Sequence, residues 1–319
     1  MTPLLTIPAF VASLVVTLGA AGFFLRRLDR VGGRLGLPEA VLGLLTALAA
    51  DGPELTSAIV ALAKGAGVVS LGVLLGSNVF NLAAMVGLSA LLAGRVRLRR
   101  DALVLEGGVG LLVLLLTAGL VLGFLSPVLA AVVLTCVLGP YVALLFRGSS
   151  SAVHLSALHS AERHPAEHAG PLWRLAVLIP VDVALIVLGS TAMVECALSL
   201  SDHWHWSRSL VGVLVLGPLT SLPNAFTAVR LGLADRGAAL VSETTNSNTV
   251  NLFAGVVLPA LFVSVARATT GVKLELGWLL VMTVVTLLLL ASRRGLSRLG
   301  GVALIAFYIA FVAAELVWR

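Results

Sequence analysis

Charge is what this chain has least of. Only 11% of its 319 residues are Asp, Glu, Lys or Arg, against 59% hydrophobic, whereas a soluble globular domain carries about 25% charged residues. So few charges exclude a soluble protein of this size, and the mean hydropathy of +1.08 points to lipid as the main solvent. Lysine is nearly absent: Arg outnumbers Lys 19 to 2, which suggests a GC-rich bacterial genome. Cysteine is limited to Cys136 and Cys196. Both fall in apolar runs and supply neither zinc spacing nor a disulfide framework, so they read as core packing. No His lies inside an apolar run, which removes the i, i+4 metal pair that an intramembrane hydrolase would use. No Gly-Lys phosphate-binding loop is present either, so transport driven by nucleotide hydrolysis is excluded.

Long apolar runs are what the chain does have. A bilayer core of about 30 Å needs about 20 apolar residues per helix, and roughly ten stretches qualify: 4–25, 38–63, 68–93, 102–125, 127–146, 175–199, 209–233, 238–265, 276–291 and 302–318. The expected fold is all-α, an integral membrane protein of about ten transmembrane helices. The net charge of +6 does not imply nucleic acid, because the basic residues sit between the apolar runs, where they orient a membrane protein. With the N-terminus outside, 16 of the 21 basic residues fall in cytoplasmic loops, Arg26, Arg27, Arg30 and Arg34 among them. The other side holds Lys64, Arg208, Arg267, Lys273 and Arg319. Both termini are therefore expected outside, in the inner membrane of a bacterium. The basic cluster follows the first apolar run rather than preceding it, so residues 4–25 read as a retained span and not a cleaved signal.

A polar loop at 147–174 divides the chain into halves at 1–146 and 175–319, and the halves repeat. Pro53 matches Pro223, Ser77 matches Ser247, Asn78 matches Asn248, Asn81 matches Asn251 and Leu82 matches Leu252, at a constant offset of 170. Five spans per copy is an odd number, so the second copy enters the membrane from the opposite side. Inverted repeats of this kind place a substrate site near the midplane, where the copies meet. The repeated motifs lie at about 42–93 and 211–265.

Glu54, Asn81, Asn224 and Asn251 each fall near the middle of a different span. A charge at that depth costs about 2.5–3.5 kcal/mol on insertion scales, and no Lys or Arg lies at the depth of Glu54 to pair with it. Pro53 and Pro223 interrupt the helices beside these residues, which is tolerated where backbone lines a cavity. Carboxylate, amide, hydroxyl and carbonyl oxygens together suit a hard cation and disfavour zinc or copper. Asn and Ser also serve as hydrogen bonds between membrane helices, so any one of them alone carries little.

Gly76-Ser77-Asn78-Val79-Phe80-Asn81 and Thr220-Ser221-Leu222-Pro223 resemble the alpha-repeat motifs GSNxxN and GTSLPEL of the cation/calcium exchanger superfamily, which includes the sodium/calcium exchangers. The resemblance extends over almost the whole chain. It implies alternating access, with the first and sixth spans sliding past a core of spans two, three, seven and eight, and a Glu of each Pro-Glu pair binding calcium. Carried over, the implied ligands are Glu54, Ser77, Asn78 and Asn81, with Thr220, Ser221, Ser247, Asn248 and Asn251. The implied cargo is Ca2+ against Na+ or H+, with inorganic cations and the bilayer as partners, no cofactor and no nucleic acid. This sequence departs from the pattern at three points: Asn224 stands where the second Glu belongs, Ala50-Asp51 replaces the first Thr-Ser pair, and Asn246 replaces the second motif Gly. Asp51 lies one helical turn from Glu54 and is placed to restore the lost charge; Glu243, further along the eighth span, is a possible additional ligand. The departures keep open an exchanger of a monovalent or other divalent cation, or a scaffold or sensor that no longer transports.

His154, His159, His164 and His168 sit in the central loop and read as a solvated linker, interrupted by Pro165. His203-Trp204-His205-Trp206 reads as an interfacial anchor. Glu106 and Glu195 lie inside spans, the first near the cytoplasmic end and the second towards the outside.

Overall fold

A computed structural model of the chain describes residues 3–35, 48–98, 100–147, 172–264, 268–292 and 295–317. The four loop histidines lie outside the described residues, as does the start of the second expected span. The architecture is helical. In chain order the helices are α1 (Pro3–Arg34), α2 (Gly52–Ala63), α3 (Gly67–Ala93), α4 (Arg100–Val121), α5 (Pro127–Arg147) and α6 (Leu172–Trp204). They continue with α7 (Arg208–Thr220), α8 (Leu222–Leu233), α9 (Gly237–Leu252), α10 (Thr270–Leu290) and α11 (Arg298–Val317). The departure from all-α is small: β1 (Arg95–Val96) pairs antiparallel with β2 (Leu296–Ser297), tying the loop after α3 to the loop after α10.

Among the described residues, six helices (α1, α3, α4, α6, α10 and α11) are long and apolar enough to cross a membrane. The pair α7–α8 makes a seventh if counted as one span; it bends by 48° at Ser221, beside the Pro223 expected to interrupt it. α2 and the first part of α5 are shorter apolar helices.

Lipid tails are as apolar as Leu, so the hydrophobic effect does not sort these helices; close packing and hydrogen bonds do. α3 occupies the centre. Within its most apolar window 89% of the residues are buried in protein, against 28–39% for the other long helices. Two glycines set its contact with α7. A Cβ on Gly76 would stand 2.4 Å from the Val213 carbonyl oxygen, and one on Gly217 would stand 2.8 Å from the Ser77 amide nitrogen. The motif glycine is therefore a backbone-to-backbone contact. At the equivalent place in the second half, Asn246 accepts a 2.9 Å hydrogen bond from the Tyr141 hydroxyl of α5.

α1 and α6 pack along their length, with Gly189 seated on Ser13 and Thr17. Arg27 of α1 forms an ion pair with the buried Asp182 of α6 and also donates to the Leu178 carbonyl at 3.2 Å. Cys196 is buried as expected, but Cys136 is exposed on α5 and so is not core packing.

The sequence repeat is also a structural one. Gly65 and Asp235, 170 residues apart, both adopt the left-handed conformation at φ 73° and 56°. The turns around them share their bonds: Lys64 N to Val60 O matches Ala234 N to Arg230 O, and Ala66 N to Ala61 O matches Arg236 N to Leu231 O. Both turns connect a helix that starts beside a proline to a helix that carries the SNxxN motif.

Candidate functional site

Helix interruption creates the site. Asp51 (φ −78°, ψ −1°) immediately precedes α2 and Ser221 (φ −84°, ψ −2°) immediately precedes α8, with nearly the same backbone. Pro53 and Pro223 stand in the first turns that follow, where a missing N–H removes no helical bond. Glu54 and Asn224 thus sit at helix starts rather than within continuous helices. The N-terminal end of α2, with its partial positive charge, favours the carboxylates of Asp51 and Glu54. The other side of the site comes from α3 and α9. Immediately after Asn81 and Leu252 these helices widen into π-helical turns, Leu82–Leu88 and Phe253–Val257, a form that recurs at functional sites.

The two acids meet on Asn224. Its Nδ2 donates to Asp51 Oδ1 at 2.8 Å and to Glu54 Oε1 at 3.3 Å. Ser247 donates to Asp51 Oδ1 at 2.6 Å, and Ser221 donates to Glu54 Oε1 at 2.8 Å. Asp51 is 1% exposed and Glu54 0%. Among the described residues neither forms an ion pair. The second oxygen of each, Asp51 Oδ2 and Glu54 Oε2, is buried and has no hydrogen-bond partner. The same holds for the carbonyl oxygens Oδ1 of Asn81, Asn224 and Asn251. An unmatched buried acceptor costs about 1–3 kcal/mol, more when charged. Five of them lie in one hydrogen-bonded network, and carboxylate and amide oxygens are the donor types that a hard cation takes. Among the described residues no three His, Cys, Asp or Glu side chains cluster as a metal site, so the set is mixed carboxylate and amide.

The remaining residues expected here divide. Ser77 donates to Leu74 O and accepts from Asn251 Nδ2 at 3.4 Å. Thr220 donates to the Leu216 and Gly217 carbonyls. Asn78 and Asn248 bind each other across the α3–α9 crossing, each Nδ2 donating to the other's backbone carbonyl at 3.2 Å. Glu243 lies one turn before Ser247 on α9, with Oε2 buried, without a hydrogen-bond partner and within the electrostatic reach of Asp51.

Ser57, Ser209, Tyr141 and Ser242 join the polar residues expected from the sequence, among which are Asn246 and Glu106. Ser57, one turn beyond Glu54, is fully buried with an unmatched hydroxyl. Ser209 donates to the buried Glu275 at 2.7 Å. Asn246 joins Tyr141 to Ser242, which in turn holds Glu106. A Ser or Tyr in an apolar helix gives no sign of its partner, so Ser57, Ser209, Tyr141 and Ser242 had no usable signal, whereas Asn246 was marked by its departure from the motif glycine. Glu195 bonds Lys64 at the exposed end of α2 and takes no part in the site.

Fold and site together define a multi-pass membrane protein with a buried, oxygen-rich centre at the crossing of two related helix pairs. The chain belongs to the family described as Sodium/calcium exchanger protein, which it matches over residues 5–147 and 175–317. It is accordingly a membrane transporter of the cation-antiporter type and not an enzyme. The putative antiporter CaxA of Alkalimonas amylolytica is 24% identical over 309 residues, covering 93% of this chain and 94% of the relative. The sodium-calcium exchanger NCX_Mj, soaked with Na+ and Ca2+, superposes with a TM-score of 0.65 at 20% identity, covering 97% of this chain and 98% of that one. Native YfkE superposes with a TM-score of 0.71 at 16% identity, covering 96% and 91%. At these identities the structures establish a shared fold.

Proposed function

We propose that this protein exchanges Ca2+ against Na+ or H+ by alternating access, using a site built from Asp51, Glu54, Asn81, Asn224 and Asn251, with the hydroxyls of Ser77, Thr220, Ser221 and Ser247 around it. The observation that carries this reading is the pair of carboxylates held side by side on Asn224, each with one oxygen buried and unmatched. Two negative charges in a dry interior call for a cation, and a divalent ion neutralises both at once. Glu243, one turn before Ser247, extends the site along α9.

The reading includes ten spans in two inverted halves, 1–146 and 175–319, with both termini outside. In support, the Asn78–Asn248 exchange has the form of a local two-fold relation, and the family match divides at the same central loop. The structures of one relative, NCX_Mj, soaked with Na+ and Ca2+ or Sr2+, support Na+ and Ca2+ as cargo. The absence of a carboxylate at 224 favours a second reading, exchange of monovalent cations.

The test is uptake of radioactive calcium into proteoliposomes under an imposed sodium or proton gradient, comparing wild type with Glu54→Gln. Gradient-driven uptake lost in the variant supports calcium exchange at this site. Sodium or potassium flux without calcium flux selects the second reading. No cation flux from folded protein would overturn both.

A further inference from the structure

Asparagine presents a problem that carboxylates do not. Its amide carries a carbonyl oxygen, which attracts a cation, and an NH2 group, which repels one, and the two are nearly the same size. Shape cannot choose between them; only hydrogen bonding can.

Here the choice starts from two backbone carbonyls, which can only accept. Asn248 Nδ2 donates to the Asn78 carbonyl at 3.2 Å, so its Oδ1 must face the other way, where it accepts from Asn81 Nδ2 at 3.1 Å. The amide nitrogen of Asn81 is held there, with a further bond to Ser247 Oγ at 3.3 Å. Its Oδ1 is left as a buried acceptor without a partner. The other half repeats the chain of bonds. Asn78 Nδ2 donates to the Asn248 carbonyl at 3.2 Å, and Asn78 Oδ1 accepts from Asn251 Nδ2 at 3.0 Å. Asn251 Nδ2 also reaches Ser77 Oγ at 3.4 Å, and again Oδ1 is buried and unmatched. Six bonds thus form three pairs related by the 170-residue offset.

We infer that Asn78 and Asn248 are not cation ligands but positioning residues, which fix the amide polarity of Asn81 and Asn251 so that each presents oxygen, not NH2, to the transported cation. Each of their amides donates to the other's backbone carbonyl and accepts from a neighbouring asparagine. The inference rests on the cation-exchange reading above. It gives the third and sixth residues of the GSNxxN motif separate tasks: the sixth supplies an oxygen to the ion, and the third, on the opposite half, decides which way that oxygen points.

The test is a double-mutant cycle in proteoliposomes, using whichever of Ca2+, Na+, K+ or Mg2+ the wild type moves. Asn248→Leu should raise the apparent KM for that cation about tenfold with Vmax held within about twofold, because the fraction of Asn81 amides facing the wrong way rises. Asn81→Asp supplies an oxygen in either orientation and has no polarity to set. In that background the penalty of Asn248→Leu should shrink to less than about twofold. A tenfold penalty in both backgrounds would make Asn248 a ligand in its own right and overturn the inference. A fall in Vmax with unchanged KM would mean a packing role only and would overturn it equally. The mirrored cycle, Asn78→Leu with Asn251→Asp, carries the test where the first set does not fold, and cation-induced shifts in Tm read either cycle where flux is lost. A wild type that moves none of the four cations, and whose Tm responds to none, overturns the exchange reading itself. Flux in the wild type with an additive cycle overturns only the positioning role.

Discussion

Asn224 Nδ2 donates to Asp51 Oδ1 at 2.8 Å, and this bond joins two compensating exceptions to the repeat. At the offset of 170, Asp51 corresponds to Ser221 and Glu54 to Asn224. Both negative charges of the centre therefore stand in the first half, and both matching positions in the second half are neutral donors turned towards them. The site keeps two carboxylates but has them on one side.

Asp51→Asn should lower cation affinity at least about tenfold, the effect of roughly 1.4 kcal/mol. Thermal unfolding without cation should not worsen, because one of two adjacent buried carboxylates is gone. A cation titration of Tm, together with flux, checks both. Wild-type affinity in this variant would place Asp51 outside the ion path.

Asn224→Asp should destabilise the cation-free protein. It removes the donor that Asp51 and Glu54 share and sets a third like charge beside them. Divalent cations should restore the lost stability and monovalent cations much less. Tm measured in chelator, in Na+ and in Ca2+ would separate these outcomes, and equal rescue by Na+ and Ca2+ would contradict the expectation.

Gly76→Ala should cost about 1–3 kcal/mol by overpacking, since the new methyl would meet the Val213 backbone at 2.4 Å. Gly108→Ala on α4 is the control, with nothing within 4 Å of the added carbon; it should be neutral or stabilising by about 0.5–1 kcal/mol. Thermal unfolding in detergent measures both. Similar behaviour of the two variants would refute close backbone packing between α3 and α7.

Arg27→Ala should destabilise by about 3–5 kcal/mol, because it strands Asp182, only 2% exposed, without its partner. The double variant Arg27→Met with Asp182→Leu should recover most of that loss, since an apolar pair of similar volume replaces a buried ion pair at little cost. If the double variant is as unstable as the single one, the pair is not what holds this part of α1 against α6.

The offset of 170, the prolines and the placement of Asp51 with Glu54 were legible in the sequence because each is a local pattern or a matched position. The pairing of Asn78 with Asn248 was not. In an amphipathic helix the polar stripe reports the rotation of each side chain, but α3 is apolar on nearly every side of its central turns. Asn78 and Asn81, three residues apart, therefore look equivalent until the neighbouring helix is in place. The break beside Pro223 was legible from the proline itself, but not the size of the bend at Ser221, because Pro223 is as compatible with a kink as with a new helix start. Tyr141 and Asn246 lie 105 residues apart, and only the packing of α5 on α9 brings them together.

The near-complete enclosure of α3 has a bearing on the surrounding bilayer. A helix with almost no lipid-facing surface feels neither lateral pressure nor membrane thickness directly. α1 is different: its apolar stretch, the 25 residues Leu4–Leu28, extends about 38 Å against a hydrocarbon core of about 30 Å, and most of its surface faces outward. It must tilt, or thicken the membrane around it, and its tilt changes with the acyl chains supplied. Acyl-chain length should therefore act on this protein through the α1–α6 pair, changing rates while leaving the selectivity set at the α3–α9 crossing untouched.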